Sequence, residues 1–73
     1  MLQQTAIIAY LDAIVSEGTF TQAAKSLYIS QPYLSKTITK LEEELQTKLV
    51  ERNRTPMELT YAGERFLTHM KKI

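Results

Sequence analysis

The chain has 73 residues, a net charge of +1, and is 44% apolar and 23% charged, which bounds it to one small domain with a single modest core. It has no cysteine, so disulfide staples and thiolate metal sites are excluded, and the composition fits a reducing compartment. No apolar run approaches the roughly 18 residues of a membrane span, and no basic segment followed by an apolar stretch marks a secretory signal.

The first element reads as a helix from Gln3 to Glu17, with Ile7, Tyr10, Leu11, Ile14 and Val15 at helical spacing. Gly18 stops it, because glycine enters the left-handed region cheaply. Thr19 followed by Gln22 has the form of a capping box. A short second helix then runs to about Leu27 and buries Ala23, Ala24 and Leu27. Tyr28 and Ile29 break it, with Tyr28 expected partly in the core. Ser30 caps a third helix, and Pro32 suits its first turn, where a missing N–H costs no intrahelical bond. This helix runs to about Gln46. Its apolar stripe is Leu34, Ile38, Leu41 and Leu45, and its other side carries Gln31, Ser35, Lys36, Thr39 and Lys40.

Leu49 to Arg52 reads as a short strand, Asn53-Arg54-Thr55-Pro56 as a turn, and Met57 to Thr60 as a second strand. Thr60 caps a fourth helix with Glu64 in its first turn. Ala62, Phe66, Met70 and Ile73 line one face of that helix.

The resulting fold class is mainly α: a winged helix-turn-helix of three helices and a two-stranded wing, followed by a fourth helix. The charge pattern allows one positive face, and equally allows scattered solvated lysines. Between Glu17 and Glu42 there is no acid, only Lys25, Lys36 and Lys40, and Lys48, Arg52 and Arg54 follow the acidic block Glu42–Glu44. The major groove of B-DNA admits one helix with polar and basic side chains outward. Gln31 can pair with adenine, Ser35 and Thr39 can donate to phosphates or bases, and Lys36 and Lys40 can neutralise phosphates. Arg52 and Arg54 on the hairpin suit backbone or a narrow minor groove.

Plainer readings stand beside these. Gln31 and Ser35, taken alone, read more readily as ordinary solvated polar residues. Lys40 can pair with Glu43 or Glu44, worth about 0.3–0.5 kcal/mol. Arg52 and Arg54 can simply solubilise the hairpin. His69 is a lone histidine on an exposed face. No paired His/Cys set and no phosphate-cradling glycine loop is present, so no enzyme activity, cofactor or metal is expected.

The chain resembles the N-terminal domain of LysR-type transcriptional regulators. The resemblance rests on Gly18-Thr19-Phe20-Thr21-Gln22-Ala23-Ala24, on Leu27 to Lys36, on Ile38 and Leu41-Glu42-Glu43-Glu44-Leu45. It continues through Leu49-Val50-Glu51-Arg52, Leu59-Thr60 and Ala62-Gly63-Glu64, and so covers essentially the whole chain. It implies residues 1–60 as the DNA-binding domain (helix-turn-helix about 20–39, wing about 49–59) and 61–73 as the start of a linker helix. The residues expected on DNA are Thr21, Ser30, Gln31, Pro32, Tyr33, Ser35, Lys36, Thr39, Lys40, Arg52 and Arg54. Those expected in a dimer contact are Phe66, Met70 and Ile73.

The resemblance further implies a cytoplasmic, nucleoid-associated bacterial regulator. Such a regulator is a homodimer on a partly palindromic, inverted-repeat operator of double-stranded DNA, and a tetramer at full length. A C-terminal effector-binding domain, not part of these 73 residues, would take a small molecule. A winged helix that binds protein instead of DNA is the alternative. Four positions depart from the family pattern. Lys36 stands where arginine is usual and loses bidentate base recognition. Tyr33 replaces a small residue, either adding a DNA contact or shifting the helix. Val50 stands for phenylalanine, and Tyr61 for an acid or proline.

Overall fold

The computed structural model describes residues 4–72, so the expectations placed on Gln3 and Ile73 lie outside the described residues. The order is α1 (Gln4–Glu17), α2 (Phe20–Leu27), α3 (Gln31–Leu45), β1 (Val50–Glu51), β2 (Glu58–Leu59) and α4 (Tyr61–Lys71). β1 and β2 pair antiparallel, Val50 opposite Leu59 and Glu51 opposite Glu58. The strands are shorter than the alternating pattern suggested. Leu49 and Met57 lie outside the ladder but remain buried.

Each helix start has a local cause. The hydroxyls of Thr19, Ser30 and Thr60 accept from the backbone N–H groups of Gln22, Tyr33 and Gly63 at 3.1, 3.1 and 2.9 Å. Each bond satisfies a donor that the helix cannot. The reciprocal Gln22 side-chain bond of a full capping box does not form among the described residues. The stops are equally local. Gly18 has φ +82°, and its carbonyl accepts from Met57 N–H at 2.8 Å, tying the wing to the α1–α2 turn. α2 and α3 end on left-handed Tyr28 and Gln46, with φ of 59° and 54°. The flanking bonds, Ile29 N–H to Ala24 C=O and Thr47 N–H to Glu42 C=O, both 3.0 Å, are those of the Schellman motif.

The core is built where α1, α2, α3 and the wing meet. Leu11, Ile14, Leu34, Ile38 and Leu49 are fully buried, with Ala23, Ala24, Val50, Met57, Leu59 and Leu67 around them. Three expectations are corrected. Tyr28 is 95% exposed, because the left-handed turn throws its side chain outward. Val15 and Leu45 are also exposed, since each lies at the edge of its helix's apolar stripe in the last turn, beyond the packed layer.

Candidate nucleic-acid interface

The third helix is held by one face and free on the other. Leu34 and Ile38 are sealed in the core, and Glu42, one turn further on, is also buried. On the opposite side Gln31, Pro32, Tyr33, Lys36 and Lys40 are exposed, and Ser35 and Thr39 are half-buried. Pro32, Lys36 and Lys40 follow one another at four-residue spacing and so share a face. Thr21 and Lys25 of α2 are exposed as well. Among the described residues Lys25, Lys36 and Lys40 make no ion pair, so the pairing of Lys40 with Glu43 or Glu44 does not occur. Ser30, besides being exposed, spends its hydroxyl on the cap of α3.

Burial, and secondarily the neighbouring Tyr33 hydroxyl, hold the Tyr10 phenol above its ordinary pKa.

Arg52 and Thr39 are engaged inside the chain. The Arg52 Nη1 donates to Glu42 Oε1 at 2.8 Å, and Nη2 donates to Thr39 Oγ1 at 3.1 Å. The guanidinium also lies 5.3 Å from the Phe20 ring centre, within cation–π range. The other Glu42 oxygen accepts the N–H groups of Leu49 at 2.7 Å and Val50 at 3.2 Å. Burial alone would raise the Glu42 pKa. The Arg52 bond and the two backbone N–H groups outweigh it and hold the carboxyl below its ordinary value. Sequence reasoning missed Glu42, treating it only as part of the acidic block Glu42–Glu44. The signal was available, because Leu34, Ile38 and Glu42 stand at successive four-residue steps.

The wing's outward cation is Arg54. It is 64% exposed and pairs with Glu58 at 3.2 Å across the hairpin, an exposed pair of little energetic weight. The residues expected in a dimer contact lie elsewhere. Phe66 and Met70 are half-buried against this chain's own core. α4 is further tied to α1 by Lys71–Asp12 at 3.1 Å and by the Gln4 amide donating to the Met70 carbonyl. Among the described residues no group of three or more His, Asp or Glu is placed to hold a metal. No described helix is long and apolar enough to cross a membrane.

Known proteins share this arrangement. The family model described as bacterial regulatory helix-turn-helix protein, lysR family, matches residues 6–64. The HTH-type transcriptional regulator BudR of Klebsiella aerogenes is 48% identical over 66 residues, covering 90% of this chain and 46% of that protein. The HTH-type regulator YdcI of Escherichia coli K12 is 44% identical over 61 residues, covering 84% of this chain and 20% of that protein. The chain thus spans a fifth to a half of these relatives. Among solved structures, the BenM DNA-binding domain bound to benA site 1 DNA superposes with a TM-score of 0.83 at 39% identity, over 97% of this chain and 79% of that one. The CbnR DNA-binding domain in its DNA complex gives 0.81 at 32% identity, over 97% and 80%. With a helix-turn-helix held by one buried face and a short wing beside it, the chain belongs to the LysR family of bacterial regulatory helix-turn-helix proteins and has the fold of their DNA-binding domains.

Proposed function

We propose that this chain reads double-stranded DNA by laying the N-terminal half of α3 in the major groove, with the wing against the minor groove or the backbone. The observation that carries this reading is the exposed row Gln31, Pro32, Lys36 and Lys40 on a helix whose opposite face is immobilised in the core. Gln31 supplies base discrimination through its amide. Lys36, Lys40 and, from α2, Lys25 supply phosphate neutralisation. Thr21, Ser30, Pro32, Tyr33 and Ser35 border the groove, and Arg54 serves the wing. In this reading the chain works in a bacterial cytoplasm, associated with the nucleoid, and carries out no catalysis.

The full regulator is proposed to act as a homodimer on an inverted repeat, where two-fold protein symmetry matches two half-sites, and as a tetramer when complete. The parts of Phe66 and Met70 left open by their own core, continued by Ile73, are the proposed contact. A small-molecule effector would act through a further domain. Selection from a random double-stranded DNA pool tests the reading. Enrichment of a sequence with half-sites about one helical turn apart is expected, and recovery of no preferred sequence would overturn it. Sedimentation tests the dimer, and a monomer at every concentration would count against the α4 contact.

A further inference from the structure

Resting on the DNA-binding reading, we propose that Arg52 is a positioning residue: anchored on the buried Glu42, it sets the wing's angle against the recognition helix α3 and thereby places Arg54. Arg52 stands where β1 gives way to the wing turn. From that point its guanidinium touches α3 twice, at Glu42 and Thr39, and α2 once, at Phe20. Glu42 in turn holds the backbone N–H groups of Leu49 and Val50, the residues that lead into and open β1. One carboxylate therefore fixes both the strand's backbone and the side chain at its end.

The wing depends on such a device because its own ladder is slight. Two paired residues per strand do not make an independently stable hairpin. A direct DNA role for Arg52 conflicts with the same geometry. Its Nη1 and Nη2 are committed to Glu42 and Thr39, and giving up Glu42 for a phosphate would strand a carboxylate that is 4% exposed. Isolated buried charge of that kind is strongly unfavourable. Arg54, two residues on and open to solvent, has no such constraint. A lysine at 52 keeps the charge but cannot present two N–H groups in a fixed fork to Glu42 and Thr39.

The test compares Arg52→Lys, Arg52→Met and Thr39→Val with the unaltered chain, at a temperature where circular dichroism shows each one folded. Thr39→Val removes only one acceptor of the fork and serves where the Arg52 variants do not fold. In the free protein, residual dipolar couplings report the orientation of β1 relative to α3. They are expected to change in the variants, and unchanged couplings overturn the proposal. On the selected DNA, cleavage protection is expected to be lost at the wing's edge of the site and retained under α3, in Arg52→Lys as in Arg52→Met. If Arg52 were instead a phosphate contact, Arg52→Lys would bind as the unaltered chain does. Arg52→Met would then flatten the salt dependence by about one unit with its footprint intact. Either result refutes positioning. If the unaltered chain selects no DNA at all, the functional reading fails, and the couplings still decide the role of Arg52.

Discussion

Replacing Gly63 with alanine should destabilise the domain even though alanine is the better helix former. Gly63 is the third residue of α4, and its N–H donates to the capping Thr60 hydroxyl. The helix starts hard against the wing: Thr60 N–H donates to the Leu49 carbonyl at 2.9 Å, and the Thr60 hydroxyl donates to the Lys48 carbonyl at 2.6 Å. A Cβ on residue 63 would collide with the Leu49 carbonyl oxygen and sit 2.9 Å from its carbon. The obstacle is backbone, and Leu49 is fully buried, so the strand cannot retreat without moving a packed side chain. Overpacking of this sort costs about 1–3 kcal/mol, with the upper half expected here. The gain in helix propensity is at most about 1 kcal/mol. The net loss is about 1–2 kcal/mol, which for a domain of this size lowers Tm by roughly 5–15 °C. Thermal melts followed by circular dichroism measure it, with exposed Thr68→Ala as the comparison, expected within about 0.5 kcal/mol of the unaltered chain. A Gly63→Ala protein that melts at or above the unaltered temperature would refute the close-approach argument.

The opposite sign is expected at Gln46, whose φ of 54° strains a residue with a Cβ. Gln46→Gly should stabilise by about 0.5–1 kcal/mol in urea denaturation, and a loss of stability would contradict the left-handed cap. Glu42 makes stability depend on acid. Its folded pKa lies below the ordinary value, so its contribution is complete above the ordinary carboxylate range and is lost as pH falls through the folded value. The stability gap between the unaltered chain and Glu42→Gln should therefore narrow from neutral pH toward about pH 3. A gap constant across that range would remove the ion pair from the account. At the interface, Gln31→Ala should cost about 1–3 kcal/mol at one base position and relax specificity there. Uniform weakening on every DNA would show that Gln31 reads no base.

Much of this was legible because the signals are local. Gly18, Ser30 and Thr60 act on backbone groups within a few residues, so element boundaries follow from chemistry at each point. The free face of α3 was legible too, from the spacing of Leu34 and Ile38. The failures share a different cause. Tyr28 was expected partly in the core, but its exposure is decided by a backbone turn, which the apolar pattern cannot register. Arg52 resembles any exposed cation in sequence. Its partners lie ten and thirteen residues back in the chain, and only the fold brings them together. Glu42 sat beside two acids that do face solvent, and charge-block reasoning treated the three alike. The four-residue period of α3 separates them.

The pairing of half-buried Arg52 with buried Glu42 also helps explain how a chain of net charge +1 can present a basic face. Those two charges cancel each other. Arg54 with Glu58 and Lys71 with Asp12 form exposed pairs away from α3. What remains on the helix-turn-helix is Lys25, Lys36 and Lys40, in a stretch without acids. This bounds the electrostatic part of binding. Each cation placed on a phosphate contributes about 0.9 to the slope of log affinity against log salt. The three lysines with Arg54, freed from its weak pair, therefore give a slope of about 3–4 per chain, and twice that for a dimer on two half-sites. Binding titrations across a salt series read the slope directly. A value near 8 per chain would mean that many more cations reach the DNA, and that the inward assignment of Arg52 and the outward set of three lysines are both incomplete. A slope near zero would mean that α3 does not approach phosphates at all. A slope that drops by about one unit in Lys36→Ala, with site preference retained, is the result expected of a helix that reads through Gln31 and is held in place by its lysines.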